Sequence, residues 1–271
     1  MTRRVRIVML LVVWLTGLLL WSMSGPSESI PPESRSVVLV ELFTSEGCSS
    51  CPPADQVLAR LEARQPVAEA KIVVLSQHVD YWNDLGWADP FSSAQFTRRQ
   101  ERYARAFKNR GLYTPQMVVD GHFELVGHRE GRALDLIRKA ASLPKAAVLV
   151  ACSRSLESGA GNVLSAQVTV DRLPAVTSGD TAEVWLSLAE DKLVSEVSRG
   201  ENAGRRLSHS GVVRSLTLLG SMAAAERERF SAEVPVRIAK GWNADNLQVV
   251  VFVQEKHSRR VLGVGHAPVP R

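Results

Sequence analysis

Residues 41–55 read ELFTSEGCSSCPPAD. Cys48 and Cys51 stand three apart, with Pro52 and Pro53 directly behind them. A pair at this spacing is a redox centre, half of a metal site or a local staple, and its surroundings decide which. Just before it, Val37 to Phe43 (VVLVELF) is a nearly continuous apolar run, the pattern of a strand buried on both faces. Just after it, Val57, Leu58 and Leu61 recur at helical spacing across Asp55 to Ala63. The pair therefore lies between a buried strand and a helix. Unpaired backbone N–H groups and the macrodipole at that helix end favour a thiolate, which makes Cys48 the attacking nucleophile. Cys51, further in and less exposed, is placed to resolve a mixed disulfide by attacking Cys48. The two prolines fit the first turn, where the N–H groups have no helical partner anyway. A structural zinc site normally needs four ligands, and Cys152 is the one other cysteine in the chain. A purely structural bridge gains little from closing so short a loop. The redox reading leads, with metal and staple as alternatives.

Further out, Lys71 to Ser76 (KIVVLS) is a second buried strand, followed by QHVDYWNDLGWAD at 77–89. Asp89-Pro90 supplies an N-cap and first residue for a long helix. Phe91, Phe96, Tyr103 and Phe107 are expected on its inner side, with Arg98, Arg99, Arg102, Arg105 and Lys108 toward water. Asp120-Gly121 between two short apolar runs predicts a hairpin, and a last helix spans about Arg129 to Ala141. Strand, helix, strand, helix, hairpin and helix make a four-stranded α/β layer. From Ala146 the texture changes to short alternating runs (AVLVACS, VLSAQVTV, AEVWLSLAE, VVRSLTLLG, AEVPVRI, LQVVVFVQE, RVLGVGHA), which predict an all-β sandwich. Cys152 alternates with apolar neighbours and is expected to pack rather than react. Residues 199–214 (RGENAGRRLSHSGVVR) form a polar, basic loop that is either solvated, anion-binding or able to reach the cysteines.

A strand, CxxC and helix followed by Thr114-Pro115 at the opening of a hairpin resembles the thioredoxin superfamily over Val37 to Ala141. The resemblance implies that Pro115 is cis and faces the cysteines, and that Thr114 offers backbone contacts to an extended partner. It also implies a buried acid in the first strand that helps deprotonate Cys51. Glu41 takes that place, at a spacing one residue longer; pairing with an arginine is its alternative. ELFTSEGCSSCPPAD, HVDYWNDLGWADPFSS, RQERYA and YTPQMVVDG together resemble a narrower group, exported bacterial thioredoxin-like proteins catalogued as a domain of unknown function. In that segment His78 could tune the Cys48 thiolate or shuttle a proton, and Trp82 and Trp87 could form a recognition wall beside the ligand-binding edge of the sheet. The alternative is a loop packed by its own aromatics.

Arg3, Arg4 and Arg6 precede an apolar run from Ile7 to Met23, the pattern of a secretory signal. Removing it through Ser24 takes 33 basic residues to 33 − 3 = 30 against 28 acids, so the formal charge falls from +5 to +2. A nucleic-acid partner is not implied. The expected organisation is residues 1–24 as signal peptide or N-terminal anchor, 25–36 as a flexible Pro/Ser-rich leader, 37–143 as a thioredoxin-like α/β domain and 144–271 as an all-β sandwich domain. The expected function is an exported, periplasmic or secreted thiol-disulfide oxidoreductase acting on protein thiols or disulfides of the cell envelope, with no cofactor and no metal. Its membrane contact is through residues 7–23, as an export signal or an inner-membrane anchor. The alternative is a non-catalytic envelope binding or scaffold protein, with a structural disulfide or a metal ion.

Overall fold

The computed structural model describes residues 35–154, 163–222 and 229–270. The basic and apolar leader, and all but the end of the Pro/Ser-rich stretch, lie outside the described residues.

The first strands form as their apolar runs dictate. β1 (Ser36–Thr44) and β2 (Ala70–His78) are parallel, with Val40 opposite Val74 and Thr44 opposite His78. The chain crosses between them through α1 (Pro52–Arg64). Val38, Val40 and Leu42 bury one face of β1 against Val57, Leu58 and Leu61 of α1 and against Leu136 and Ile137 of α3 (Glu130–Ala141). β3 (Gln116–Val119) runs antiparallel to β1 and turns into β4 (Phe123–Val126). The turn is the expected Asp120-Gly121, with φ of 48° and 59°. α2 (Ala94–Phe107) lies on the other face of β1, where Tyr103 meets Phe43 edge to face at 5.8 Å.

Two local expectations for this helix fail for identifiable reasons. Its N-cap is Ser93, whose hydroxyl accepts from the Gln95 N–H. Asp89 instead caps the turn that precedes the helix, its Oδ1 accepting from the Phe91 N–H while its Oδ2 meets His78. Arg99 is not solvated: it is 4% exposed and pairs with Glu41 at 2.6 Å. A buried guanidinium is tolerated only with such a partner.

The remaining strands are β5 (Ala147–Arg154), β6 (Val163–Asp171), β7 (Ala182–Glu190), β8 (Leu193–Glu196), β9 (Arg206–His209), β10 (Val212–Met222), β11 (Phe230–Arg237), β12 (Leu247–Glu255) and β13 (Val261–Pro268). They overturn the expected fold class of a thioredoxin-like α/β unit followed by a separate sandwich. The molecule is mostly β, and its main sheet has eight strands of mixed direction in the order β13-β12-β7-β10-β2-β1-β3-β4. The junction is short: Val212 pairs in parallel with Ser76, and the Ser76 N–H donates to the Gly211 carbonyl at 2.7 Å. Periodicity reports which face of a strand is apolar, not which edge is occupied, and the outer edge of β2 carries β10. The sheet also curls on itself. Leu39, Val73 and Leu75 pack with Val250, Phe252, Val261 and Val264 from its far strands. The three-stranded sheet β11-β6-β5 covers the other face of β7 and β12, and β8 pairs with β9 as a separate ribbon.

The hairpin at Asp120-Gly121 locks this closure. Asp120 Oδ1 accepts from the Leu39 N–H, its Oδ2 pairs with Lys145, and its carbonyl accepts from the Val261 N–H. A Cβ on Gly121 would fall 1.8 Å from the Arg259 carbonyl oxygen, so only glycine admits the contact. Among the described residues no helix is long and apolar enough to cross a membrane. Cys152 is half-buried on β5 at the edge of the sandwich core, and burial pushes its thiol up.

Candidate functional site

β1 and β2 end side by side, and the cysteines follow the end of β1. The turn out of the strand is held by the Gly47 N–H on Ser45 Oγ and the Cys48 N–H on the Ser45 carbonyl. Cys51 is the N-cap of α1, its carbonyl accepting from Ala54 and Asp55. Cys48 and Cys51 form a disulfide, with Cα atoms 5.4 Å apart. The expected asymmetry of exposure is absent, because both cysteines are 0% exposed while Ser49 and Ser50 between them face solvent.

The distant loop between β8 and β9 docks on this turn. Asn202, itself fully buried, donates through Nδ2 to the carbonyls of Glu46 (2.8 Å) and Cys48 (2.9 Å). Neighbouring Glu201 accepts from the Ser49 N–H at 3.0 Å. Of the alternatives for residues 199–214, reaching across to the cysteines is the one found.

The Thr114–Pro115 peptide bond is cis. Pro115 is buried beside the first turn of α1: a Cβ on Gly127 would lie within 2.9 Å of Ala54 Cβ and 3.2 Å of Pro115 Cβ. Trp82 ties this loop to the cysteine turn. Its Nε1 donates to Thr114 Oγ1 at 2.9 Å, and its Cβ packs on Gly47. Trp87 is anchored too, donating to Glu46 Oε2 at 2.8 Å. Both tryptophans are half-buried and hydrogen-bonded into the site's frame.

Beneath the turn lies a buried cluster of ionisable groups. His78 Nδ1 meets Asp89 Oδ2 at 2.7 Å, and the same oxygen accepts from the Glu46 N–H. His209, at the end of β9, meets Glu46 Oε1 through Nε2 at 3.0 Å. The two imidazoles stand edge to face, 4.8 Å apart, and Phe91 abuts both. Burial acts to raise the Glu46 carboxyl, but hydrogen bonds from His209, Ser195 and Trp87 outweigh it and hold it below its ordinary value. Burial likewise opposes ionisation of Asp89, and is outweighed by His78 and the N–H groups of Glu46 and Phe91. Asp55 behaves oppositely. It sits four residues after Cys51, one turn along the same face of α1. Burial pushes its carboxyl up to about 7 against the opposing pull of His209 and Thr44. His78 Nε2, His209 Nδ1 and Asp55 Oδ1 are buried without a hydrogen-bond partner among the described residues. Five buried ionisable groups, three of them with an unpaired polar atom, beside a disulfide mark a candidate site on physical grounds. Among the described residues no group of three or more His, Cys, Asp or Glu side chains is placed to hold a metal ion.

Of the residues singled out from sequence, Cys48, Cys51, Thr114, Pro115, His78, Trp82 and Trp87 fall in this one region. Glu41 does not. It lies on the Leu39/Phe43 face of β1, opposite α1, bound by Arg99, Tyr103 and Gln77. Asn202 and His209 come from the 199–214 loop, for which reaching the cysteines is one of the expected alternatives; Glu46, Asp55 and Asp89 are the site residues that sequence reasoning missed. Asp55 had a legible signal in its four-residue offset from Cys51. The others converge only through tertiary contacts.

A family model described as "Protein of unknown function (DUF1223)" matches residues 39–254. No curated protein matches. Among solved structures, a structural-genomics protein from Agrobacterium tumefaciens is 24% identical, over 88% of this chain and 96% of its own, with a TM-score of 0.62. HBP35 of Porphyromonas gingivalis is 15% identical, over 87% of this chain and 76% of its own, with a TM-score of 0.65. These likenesses concern the fold.

Proposed function

The chain belongs to the DUF1223 family, and from the site it carries we propose that it is an exported thiol-disulfide oxidoreductase. The observation that carries this reading is the Cys48–Cys51 disulfide at the N-terminus of α1, with the cis Thr114–Pro115 bond beside the same helix turn. That combination also supports kinship with the thioredoxin superfamily for this site.

The exchange balances simply. A partner thiolate attacks Cys48 Sγ, a partner–Cys48 bond forms, the Cys48–Cys51 bond breaks, and Cys51 leaves as a thiolate that takes up a proton. A second partner thiolate then displaces Cys48. The partner is oxidised to a disulfide, and the protein keeps two electrons and two protons. The reverse sequence reduces a partner disulfide. Asp55, one turn from Cys51 and held protonated up to about neutral pH by burial, is placed to supply the proton Cys51 needs. Partners are protein thiols or disulfides of the cell envelope, reached through the leader at residues 7–23.

One observation favours a second reading, a binding protein with a structural bridge: both cysteines are fully buried, and Asn202 is bonded to the carbonyl of one of them. Two experiments separate the readings. In Cys51→Ala, Cys48 should accumulate mixed disulfides that a reductant releases. If neither that variant nor Cys51→Ala/Asn202→Ala captures any partner, the oxidoreductase reading fails. Independently, a reduction potential between about −120 and −270 mV fits an exchanging pair, and one below about −300 mV a structural bridge.

A further inference from the structure

Away from the cysteines, α2 and the strands β7 and β10 enclose two adjoining cavities of about 530 and 210 Å³, which share Arg102 and Trp185 in their walls. The larger volume is in the range that holds a small organic molecule. One wall is a row of cations. Arg98, Arg102 and Arg105 fall at i, i+4 and i+7 and so share a stripe of α2, and Lys256 adds a fourth at the larger cavity. The facing wall is apolar, made by Trp185, Leu216 and Leu218.

The cations of this groove are not paired by neighbouring carboxylates. Deeper in, the guanidiniums of Arg99 and Arg259 are offset by the carboxylates of Glu41 and Glu183, two against two. Glu183 lines the larger cavity and accepts from Trp185 Nε1 at 3.1 Å. Arg98, Arg102, Arg105 and Lys256 make no ion pair among the described residues. Arg259 also lines the cavity. It is 1% exposed, stacked over the Tyr103 ring at 5.5 Å, and its Nε has no partner among the described residues. A buried donor left unpaired costs free energy that a ligand acceptor would recover.

We infer that this groove binds an organic anion that carries at least two negative charges along one edge and an apolar or aromatic body along the other. The charged edge meets the α2 arginines and Lys256, and the body lies on Trp185 and the leucines. The inference is independent of the thiol chemistry, since it uses none of the residues around the cysteines.

The test is calorimetric titration of the full chain with ATP as the probe, alongside adenosine (body alone) and tripolyphosphate (charge alone). ATP should bind, and each partial probe should bind at least tenfold more weakly. Arg102→Glu/Arg105→Glu should weaken ATP binding at least tenfold. The control Arg132→Glu/Lys139→Glu makes the same change in net charge on α3, across the sheet, and should leave affinity within twofold. The substituted side chains are exposed, and thermal unfolding of each variant checks that the fold is kept; Arg105→Glu alone replaces the double variant if it is not. Absence of ATP binding, equal losses in the two double variants, or tripolyphosphate binding as tightly as ATP would each overturn the inference.

Discussion

Asn202→Ala is the most informative single change. The Asn202 side chain is fully buried and donates to two backbone carbonyls of the cysteine turn, at 2.8 and 2.9 Å. A hydrogen bond of this kind contributes about 1 kcal/mol net, and an acceptor left buried and unpaired adds to the loss. Removing both should therefore raise the closed state by about 2–3 kcal/mol relative to a state with the loop displaced, where water serves the carbonyls. The Glu201 contact with Ser49 is solvent-exposed and adds little. If a reductant reaches the cysteines only after this local opening, the rate of disulfide reduction follows the opening equilibrium. At about 1.4 kcal/mol per tenfold, the variant should be reduced roughly 30- to 150-fold faster. The assay is the rate of thiol appearance under excess dithiothreitol without denaturant. A urea titration of the oxidised protein confirms that the variant is folded throughout. An unchanged rate in a folded variant would refute the reasoning: the loop would then be packing that the reductant bypasses.

Three further outcomes follow from the packing. Asp55 has its folded-state value raised to about 7 from an ordinary 3.8, so its contribution to stability is full below about pH 4 and is lost as pH rises through 7. Urea unfolding of Asp55→Asn beside the unchanged protein should show the variant gaining on it by up to about 4 kcal/mol between pH 4 and 8; parallel pH profiles would mean that His209, Glu46 and Asp89 compensate the buried carboxyl. Gly121→Ala should cost about 2–4 kcal/mol by urea midpoint, since the new methyl meets a backbone oxygen and φ is positive. Gly131→Ala, in α3 with open space around it, should instead stabilise by about 0.5–1 kcal/mol.

What the sequence disclosed divides along the range of the interactions. The β1–α1–β2 crossover and the Asp120-Gly121 hairpin are local, and their apolar runs and turn residues specify them without help. The cysteine pair, Thr114 and Pro115 were legible for the same reason, each lying in a short segment with its own signature. Asp89 shows the limit. As Asp-Pro before a helical pattern it has the form of an N-cap, yet it caps only the turn ahead of the helix and gives its second oxygen to His78, eleven residues earlier. Glu41 and Arg99 show it again, since nothing in their spacing reveals that they face each other across the α2 side of the sheet. The fold class failed at one place, the edge of β2. Closing that edge with β10 needs a partner more than a hundred residues away, selected by geometry rather than by pattern.

The Asn202 loop also orders events in time. A chain made from its N-terminus presents Cys48 and Cys51 long before residue 202 exists. During that interval the two thiols stand open to any oxidant or foreign thiol that meets the emerging segment. Once β8 and β9 have formed and Asn202 has docked on the Glu46 and Cys48 carbonyls, both cysteines belong to a fully buried turn. The chemistry of the pair thus has two eras, one of free access on the nascent chain and one in which the folded molecule buries both cysteines. A protein released from synthesis before its β8–β9 ribbon would remain in the first.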